Sequence, residues 1–283
     1  MNKFINIFSF IFAAFFVLSC EPSRAENGDY LFGVNNPGGT GGGGSTTNRL
    51  LKKMITHLED EDTGEMEDGI TIFNYTSGKL TSIDDGTSGT MRVEYNSNNK
   101  ISKLLIDGVM TATYEYSGTI LSKITTEFTG VSKSVTNYTF VEGKMVKSIT
   151  VTEMTFMPIP IKLYTEDSYE YQGNNVSKNI TKIGAYDPVT GELVMDPGFV
   201  NTVFEYDAKK NPFSLLPKEY VYFYSSISPQ TGSFTSANNP LKATVTEQDG
   251  TSATSTTTYI YDEQDYVTKL TSGEEYYQFE YQN

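Results

Sequence analysis

The chain has 283 residues, a formal net charge of −14, one Cys, one His and no Trp. So acidic a chain is repelled by phosphate backbones, which excludes nucleic acid as a natural partner. One Cys permits neither an internal disulfide nor a four-ligand thiolate zinc site, and a single His57 removes the two-histidine metal motifs. Twenty Tyr and 17 Phe tilt the composition toward strands.

The N-terminus reads as a targeting segment. Lys3 precedes an apolar stretch from Ile5 to Leu18, which is short of the roughly 20 residues needed to span a bilayer. The stretch ends Val17-Leu18-Ser19-Cys20, which resembles the bacterial lipoprotein box. That resemblance implies removal of residues 1–19 as a signal peptide and acylation of Cys20. The other reading is an ordinary signal peptide cut near Ala25, but the Cys sits where the apolar run stops. Two or more acyl chains anchor stably, since each buried CH₂ contributes about 0.8 kcal/mol.

Residues 20–48 follow as the acylated Cys and a flexible linker, with Pro37-Gly38-Gly39-Thr40 and then Gly41 to Gly44. Gly-rich chain behaves as a coil, and 28 residues reach on the order of 30 Å. This places the remaining domain, residues 49–283, on a tether rather than in the membrane.

From Arg49 onward, pairs of aromatic or branched residues flank one polar residue: Phe73-Asn74-Tyr75, Val93-Glu94-Tyr95, Tyr114-Glu115-Tyr116, Tyr138-Thr139-Phe140, Tyr169-Glu170-Tyr171, Phe204-Glu205-Tyr206, Tyr259-Ile260-Tyr261 and Phe279-Glu280-Tyr281. This period of two predicts half-buried strands. Turn signals such as Ser77-Gly78 and Glu142-Gly143 come next, then an apolar residue, two Ser, Thr or Lys, and a second apolar residue, as in Leu80 to Ile83 and Leu121 to Ile124. Each unit is a β-hairpin. The spacing of three in the second signature fits either a cap on the opposite face or a bulge.

Successive units are 20 to 24 residues apart early in the chain, which leaves no room there for crossovers and predicts a meander of about 16 strands. Later steps are longer, with Pro158, Pro160, Pro188 and Pro197 marking loops. The predicted fold is all-β, an antiparallel meander of repeated β-hairpins forming a closed or strongly curved barrel-like sheet that removes exposed edges.

The hairpin repeat, with Lys210-Asn211-Pro212-Phe213, Asn238-Asn239-Pro240 and Tyr259-Ile260-Tyr261-Asp262, resembles a family of Bacteroidota lipoproteins of unknown function with a porin-like β fold. It is similar, more loosely, to the YD repeats of Rhs-type shells. The family resemblance implies the envelope of a Gram-negative bacterium and brings no catalytic residues.

Candidate sites are weighed against plain structural roles. Glu59-Asp60-Glu61-Asp62 lacks calcium-loop spacing and reads as a solvated hairpin loop. Asp84-Asp85-Gly86 reads as a turn, and His57 as a packed or surface residue without a nucleophile in a recognisable elbow. Tyr220, Tyr222 and Tyr224, alternating with Val221 and Phe223, and the pair Tyr276-Tyr277 could stack on sugar rings or form a protein contact from a wet sheet face or loops. Their plain role is cross-strand pairing and core lining.

These readings favour a non-enzymatic envelope lipoprotein at the outer membrane, a binding or structural module held through Cys20, with a glycan or protein as ligand and no cofactor. The membrane face and oligomeric state are left open. One alternative is a periplasmic carrier of an apolar ligand inside the curved sheet; another is a carboxylate-based hydrolase.

Overall fold

The computed structural model describes residues 49–60, 63–156, 161–227 and 234–283, so Cys20 and the linker lie outside the described residues. Its strands are β1 (Leu50–Glu59), β2 (Met66–Thr76), β3 (Lys79–Asp84), β4 (Thr90–Tyr95), β5 (Ile101–Ile106), β6 (Met110–Ser117), β7 (Ile120–Phe128), β8 (Ser132–Val141), β9 (Lys144–Met154), β10 (Ile161–Gln172), β11 (Asn175–Tyr186), β12 (Leu193–Met195), β13 (Val200–Lys210), β14 (Asn238–Glu247), β15 (Ser252–Thr256), β16 (Thr258–Tyr261), β17 (Val267–Ser272) and β18 (Glu275–Gln282). All ladders between them are antiparallel, and β18 returns to pair with β1.

The result is the expected meander, a barrel of 18 strands closed except at one seam. At that seam β15 pairs only with β14 and β16 pairs only with β17, with Thr257 between them. The count exceeds the expected 16 because the short β12 carries no repeat signature and because Thr257 divides one extended segment into two.

The spacing of three in the second signature is a bulge. The registers skip one residue at Lys52, Thr81, Ser102, Ser122, Val146, Ser177, Leu241 and Thr268. The skip keeps both flanking apolar residues, such as Leu80 and Ile83 or Leu121 and Ile124, facing the interior, where they are buried. Hydroxyl residues suit the skipped position because their side chains find local acceptors: Thr81 donates to the Asn74 carbonyl, Ser122 to Glu115 and Thr268 to Ile260.

At each bulge the ladder to the neighbouring hairpin stops. The β3–β4 ladder, for example, ends at Ser82 and Arg92, and β5–β6 ends at Lys103 and Thr113. The tyrosine of the first signature bridges the gap. Tyr95 donates to the Leu80 carbonyl and Tyr116 to Ile101, and the same contact joins Tyr75 to Leu51, Tyr171 to Met145, Tyr206 to Val176, Tyr259 to Pro240 and Tyr281 to Val267, all within 2.5 to 2.9 Å. Phe140 occupies the equivalent place without a hydroxyl.

The tyrosine-rich end of the barrel is filled from within. The connection between β13 and β14 turns inward as a one-turn 3₁₀ helix, Pro212–Leu215, and then α1, Lys218–Ile227. Tyr220, Val221 and Phe223 are buried in the same core as Met54, Phe73, Leu104, Ile124 and Phe279, which come from widely separated strands. Tyr220, Tyr222 and Tyr224 thus line the core, as their plain role has it, but from a helix rather than by pairing across strands, and the alternative of a wet sheet face or loops is corrected. Their alternation mimics a strand, but the segment lies inside the wall, where the surrounding strands present side chains rather than backbone groups. A helix satisfies its own N–H and C=O groups there. Its serine hydroxyls are satisfied as well, the buried Ser225 donating to the Val221 carbonyl and the part-buried Ser226 to Phe223, both at 2.7 Å.

Removing a single bridging hydroxyl leaves its ring in place and a carbonyl without its donor, so Tyr116→Phe is expected to cost about 1 to 2 kcal/mol. Urea unfolding reads this as a lower midpoint at constant slope; an unchanged midpoint would mean the contact adds nothing to the fold.

Candidate functional site in the barrel interior

Both ends of the inward excursion are held by one polar clamp built from the motif singled out in the sequence. Asn211 caps the 3₁₀ turn by accepting from the Phe213 N–H, and its own N–H donates to the Ala237 carbonyl. Asn238 Nδ2 donates to the Lys209 carbonyl, and Asn175 Nδ2 donates to Asn238 Oδ1. Asn239 gives both its backbone N–H and its Nδ2 to the Asp207 carboxylate at 3.0 Å, and Tyr261 donates to the same carboxylate. Ser236 donates to the Tyr206 hydroxyl and accepts from the Val176 N–H. Asn239 and Ser236 are each 1% exposed, so these are interior bonds in a low-dielectric setting.

Above the clamp the plug packs tightly. Phe213 meets Phe234 edge-on at 4.4 Å, Tyr224 meets Phe234 at 5.0 Å, and Tyr222 lies between Tyr138 and Phe140. The cavity bounded by Met54, Phe73, Leu216 and Val221 measures about 10 Å³, the room of one water molecule. Burial pushes the phenols of Tyr206 and Tyr222 up to about 12, so they stay protonated rather than acting as nucleophiles.

Beyond the plug the inner wall of β8 to β11 turns polar. Ser134 meets Thr152 at 2.9 Å and Thr136 meets Thr150 at 3.0 Å. Asp167 faces inward among them and accepts from the Thr181 hydroxyl at 2.6 Å. Asn179 Nδ2 donates to the Thr181 hydroxyl, while its Oδ1 is sealed without a partner. Burial raises the Asp167 carboxyl above its ordinary value, against the pull of Thr181, Asn179 and Ser148. Sequence reasoning missed this group, because an Asp in a strand carries no mark of which face it takes until the register is known.

The outer wall carries charge at the height of the bulges. Lys53–Glu280, Lys123–Glu115, Lys178–Glu170 and Lys242–Glu205 pair across strands at 2.7 to 3.3 Å. In the described wall no strand has more than two successive outward positions that are apolar, as at Ile149 and Val151 between Lys147 and Glu153. Two such positions cover roughly 7 Å.

The remaining expected sites fall as follows. His57 lies on the outer face, stacked on Tyr276 at 4.7 Å with Nδ1 2.6 Å from Asp68, and Lys269 sits over the same Tyr276 ring. Tyr277 faces inward and packs against the core. Asp84 and Asp85 form the expected turn, accepting from the N–H groups of Gly86, Thr87 and Ser88. Of the acidic stretch, Asp60 caps a turn through Thr63, and residues 61 and 62 lie outside the described residues. Among the described residues no group of three His, Cys, Asp or Glu converges as a metal site.

No family model matches the chain, and no curated protein sequence does. Among solved structures it is similar to the crystal structure of a porin-like protein from Bacteroides uniformis, at 11% identity and a TM-score of 0.50, over 82% of this chain and 96% of that one. At this identity the likeness establishes a shared porin-like β fold.

The raised carboxyl makes the native state hold a proton that the unfolded chain, with an Asp near 3.9, has already released. Stability attributable to Asp167 therefore falls as pH rises through the window above about 4. Asp167→Asn is expected to flatten this dependence, measured as the difference in Tm between wild type and variant across pH 4 to 7; parallel curves would place the proton elsewhere.

Proposed function

We propose that the chain is a non-enzymatic cell-envelope lipoprotein, held at a bacterial outer membrane by acyl chains on Cys20 and presenting its barrel as a binding or structural module. We place it with the Bacteroidota lipoproteins of unknown function that its repeat and its Asn-Pro motifs resemble. The observation that carries this reading is the outer wall. A barrel embedded in lipid needs an apolar band about 25 Å tall, and this wall interrupts its apolar positions with Lys–Glu pairs. Attachment then falls to the leader, where Val17-Leu18-Ser19-Cys20 ends the apolar run and a Gly-rich tether begins.

The interior supports the same reading over its alternatives. A carrier needs an apolar chamber, and here the tyrosine-rich end is occupied by Tyr220, Val221 and Phe223. Asp167 stands with the hydroxyl and amide groups of Thr181, Ser148 and Asn179.

The test is metabolic labelling with an alkyne fatty acid in a Bacteroidota host, followed by fractionation and N-terminal mass analysis. The wild-type chain is expected in the outer-membrane fraction, labelled and starting at Cys20, while Cys20→Ala loses label and leaves that fraction. Proteolysis within the linker should release a barrel that stays in solution without detergent. An unlabelled chain starting at Glu26 would overturn the anchor.

A further inference from the structure

β12 is an unpaired edge. Leu193–Met195 forms its ladder only with Gly184, Ala185 and Tyr186 of β11, and no described strand lies on its other side. The hydrogen bonds that flank the hairpin fix which backbone groups are free. The Asp187 N–H donates to the Glu192 carbonyl and the Asp196 N–H to the Ile183 carbonyl. In an antiparallel pair the bonded residues alternate, so Val194 faces β11 while Leu193 and Met195 turn their N–H and C=O groups outward.

The side chains around this edge are apolar and in water. Val194 is 62% exposed and Val189 is 91% exposed, with Leu193, Met195, Phe199 and Val200 also exposed. Single exposed apolar residues are ordinary, but six along one short stretch of rim beside a free strand edge are not. The hairpin itself is uniformly acidic: from Ile183 to Val200 the chain has Asp187, Glu192 and Asp196 and neither Lys nor Arg. The Thr190 and Val189 N–H groups hold the Asp187 carboxyl below its ordinary value, so it stays charged in mild acid. Nearby Lys162 is turned onto the Tyr186 ring at 4.6 Å.

We propose that β12 is a docking edge for an extended, apolar and basic segment of a partner protein, which adds as a strand alongside Leu193–Met195. Backbone pairing supplies attachment, and the carboxylates select against acidic segments. A second copy of this chain fits poorly, because it would bring the same carboxylates to the same edge. The inference rests on the binding-module reading and names its partner, while leaving membrane anchoring aside.

The experiment uses the full chain in non-ionic detergent and a capped heptapeptide of alternating Lys and Val as probe. Saturable binding is expected, with slowed amide exchange at Leu193 and Met195. Leu193→Pro, which removes an outward N–H in an exposed strand away from the core, should weaken it at least tenfold. A Glu–Val peptide should not bind, and of two probes N-methylated on alternate phases one should fail even against the unaltered chain. Binding unaffected by Leu193→Pro and by either methylation pattern, or exchange slowed elsewhere, would overturn the proposal. So would a dimer of the chain alone that Leu193→Pro abolishes, which would give the edge to self-pairing. None of these outcomes bears on acylation of Cys20.

Discussion

The architecture depends on one local constraint, the bulge that follows each hairpin turn. Skipping a residue at Thr81, Ser102 or Ser122 sends two apolar side chains three apart to the same face and bends the strand away from its neighbour. The ladder between hairpins then ends early, and a row of carbonyls at Leu51, Leu80, Ile101 and their equivalents would lack strand partners. Tyrosine resolves this because its ring spans the gap while its hydroxyl reaches the carbonyl. The abundance of Tyr is thus explained by backbone accounting at one end of the barrel.

Hairpins that separate at one end leave an interior that strand side chains alone do not fill. The chain fills it with its own excursion between β13 and β14, and the energetics differ along that excursion. Aromatic packing around Phe223 and Phe234 supplies apolar burial, whereas the Asp207–Asn239–Asn211 clamp supplies position. A buried amide and carboxylate network has few satisfactory arrangements, so it fixes where the two ends of the plug meet the wall. Tyr261 links the two systems. It stands two residues beyond the bridging Tyr259 and donates to Asp207, so the last hairpin ties the wall to the clamp.

How much of this was readable follows from the range over which each signal acts. Hairpins, turns and the meander rest on contacts within about 20 residues, and the period of two with Ser77-Gly78 or Glu142-Gly143 states them directly; all four of those turn residues take positive φ. The bulge stayed undecided beside a cap because both place Leu80 and Ile83 three apart, and only the partner strand's register separates them. The helix at Lys218–Ile227 is hidden because Tyr, Val and Phe alternate there as in a strand, and the deciding fact is a tertiary one, its place inside a wall that presents side chains rather than backbone groups. The Asn-Pro motifs were visible as motifs, but Asp207 and Asn239 are 32 residues apart and their bond belongs to the fold.

Fold alone does not fix activity, and this barrel narrows the places where activity can reside. Its bridging tyrosines donate to wall carbonyls, the cavity beside the plug holds about one water, and its outer wall carries paired charges. Such a body is rigid because the wall, the bridges and the plug all support one another. Outside that mutual support lies a part the repeat does not specify, the rim where β11 continues past β13 into the β12 hairpin. Loops carried on rigid frames are where recognition is commonly built, since their backbone groups and side chains are not consumed in holding the frame together. In this chain the rim still holds unspent backbone bonds at Leu193 and Met195, beside exposed apolar side chains and carboxylates.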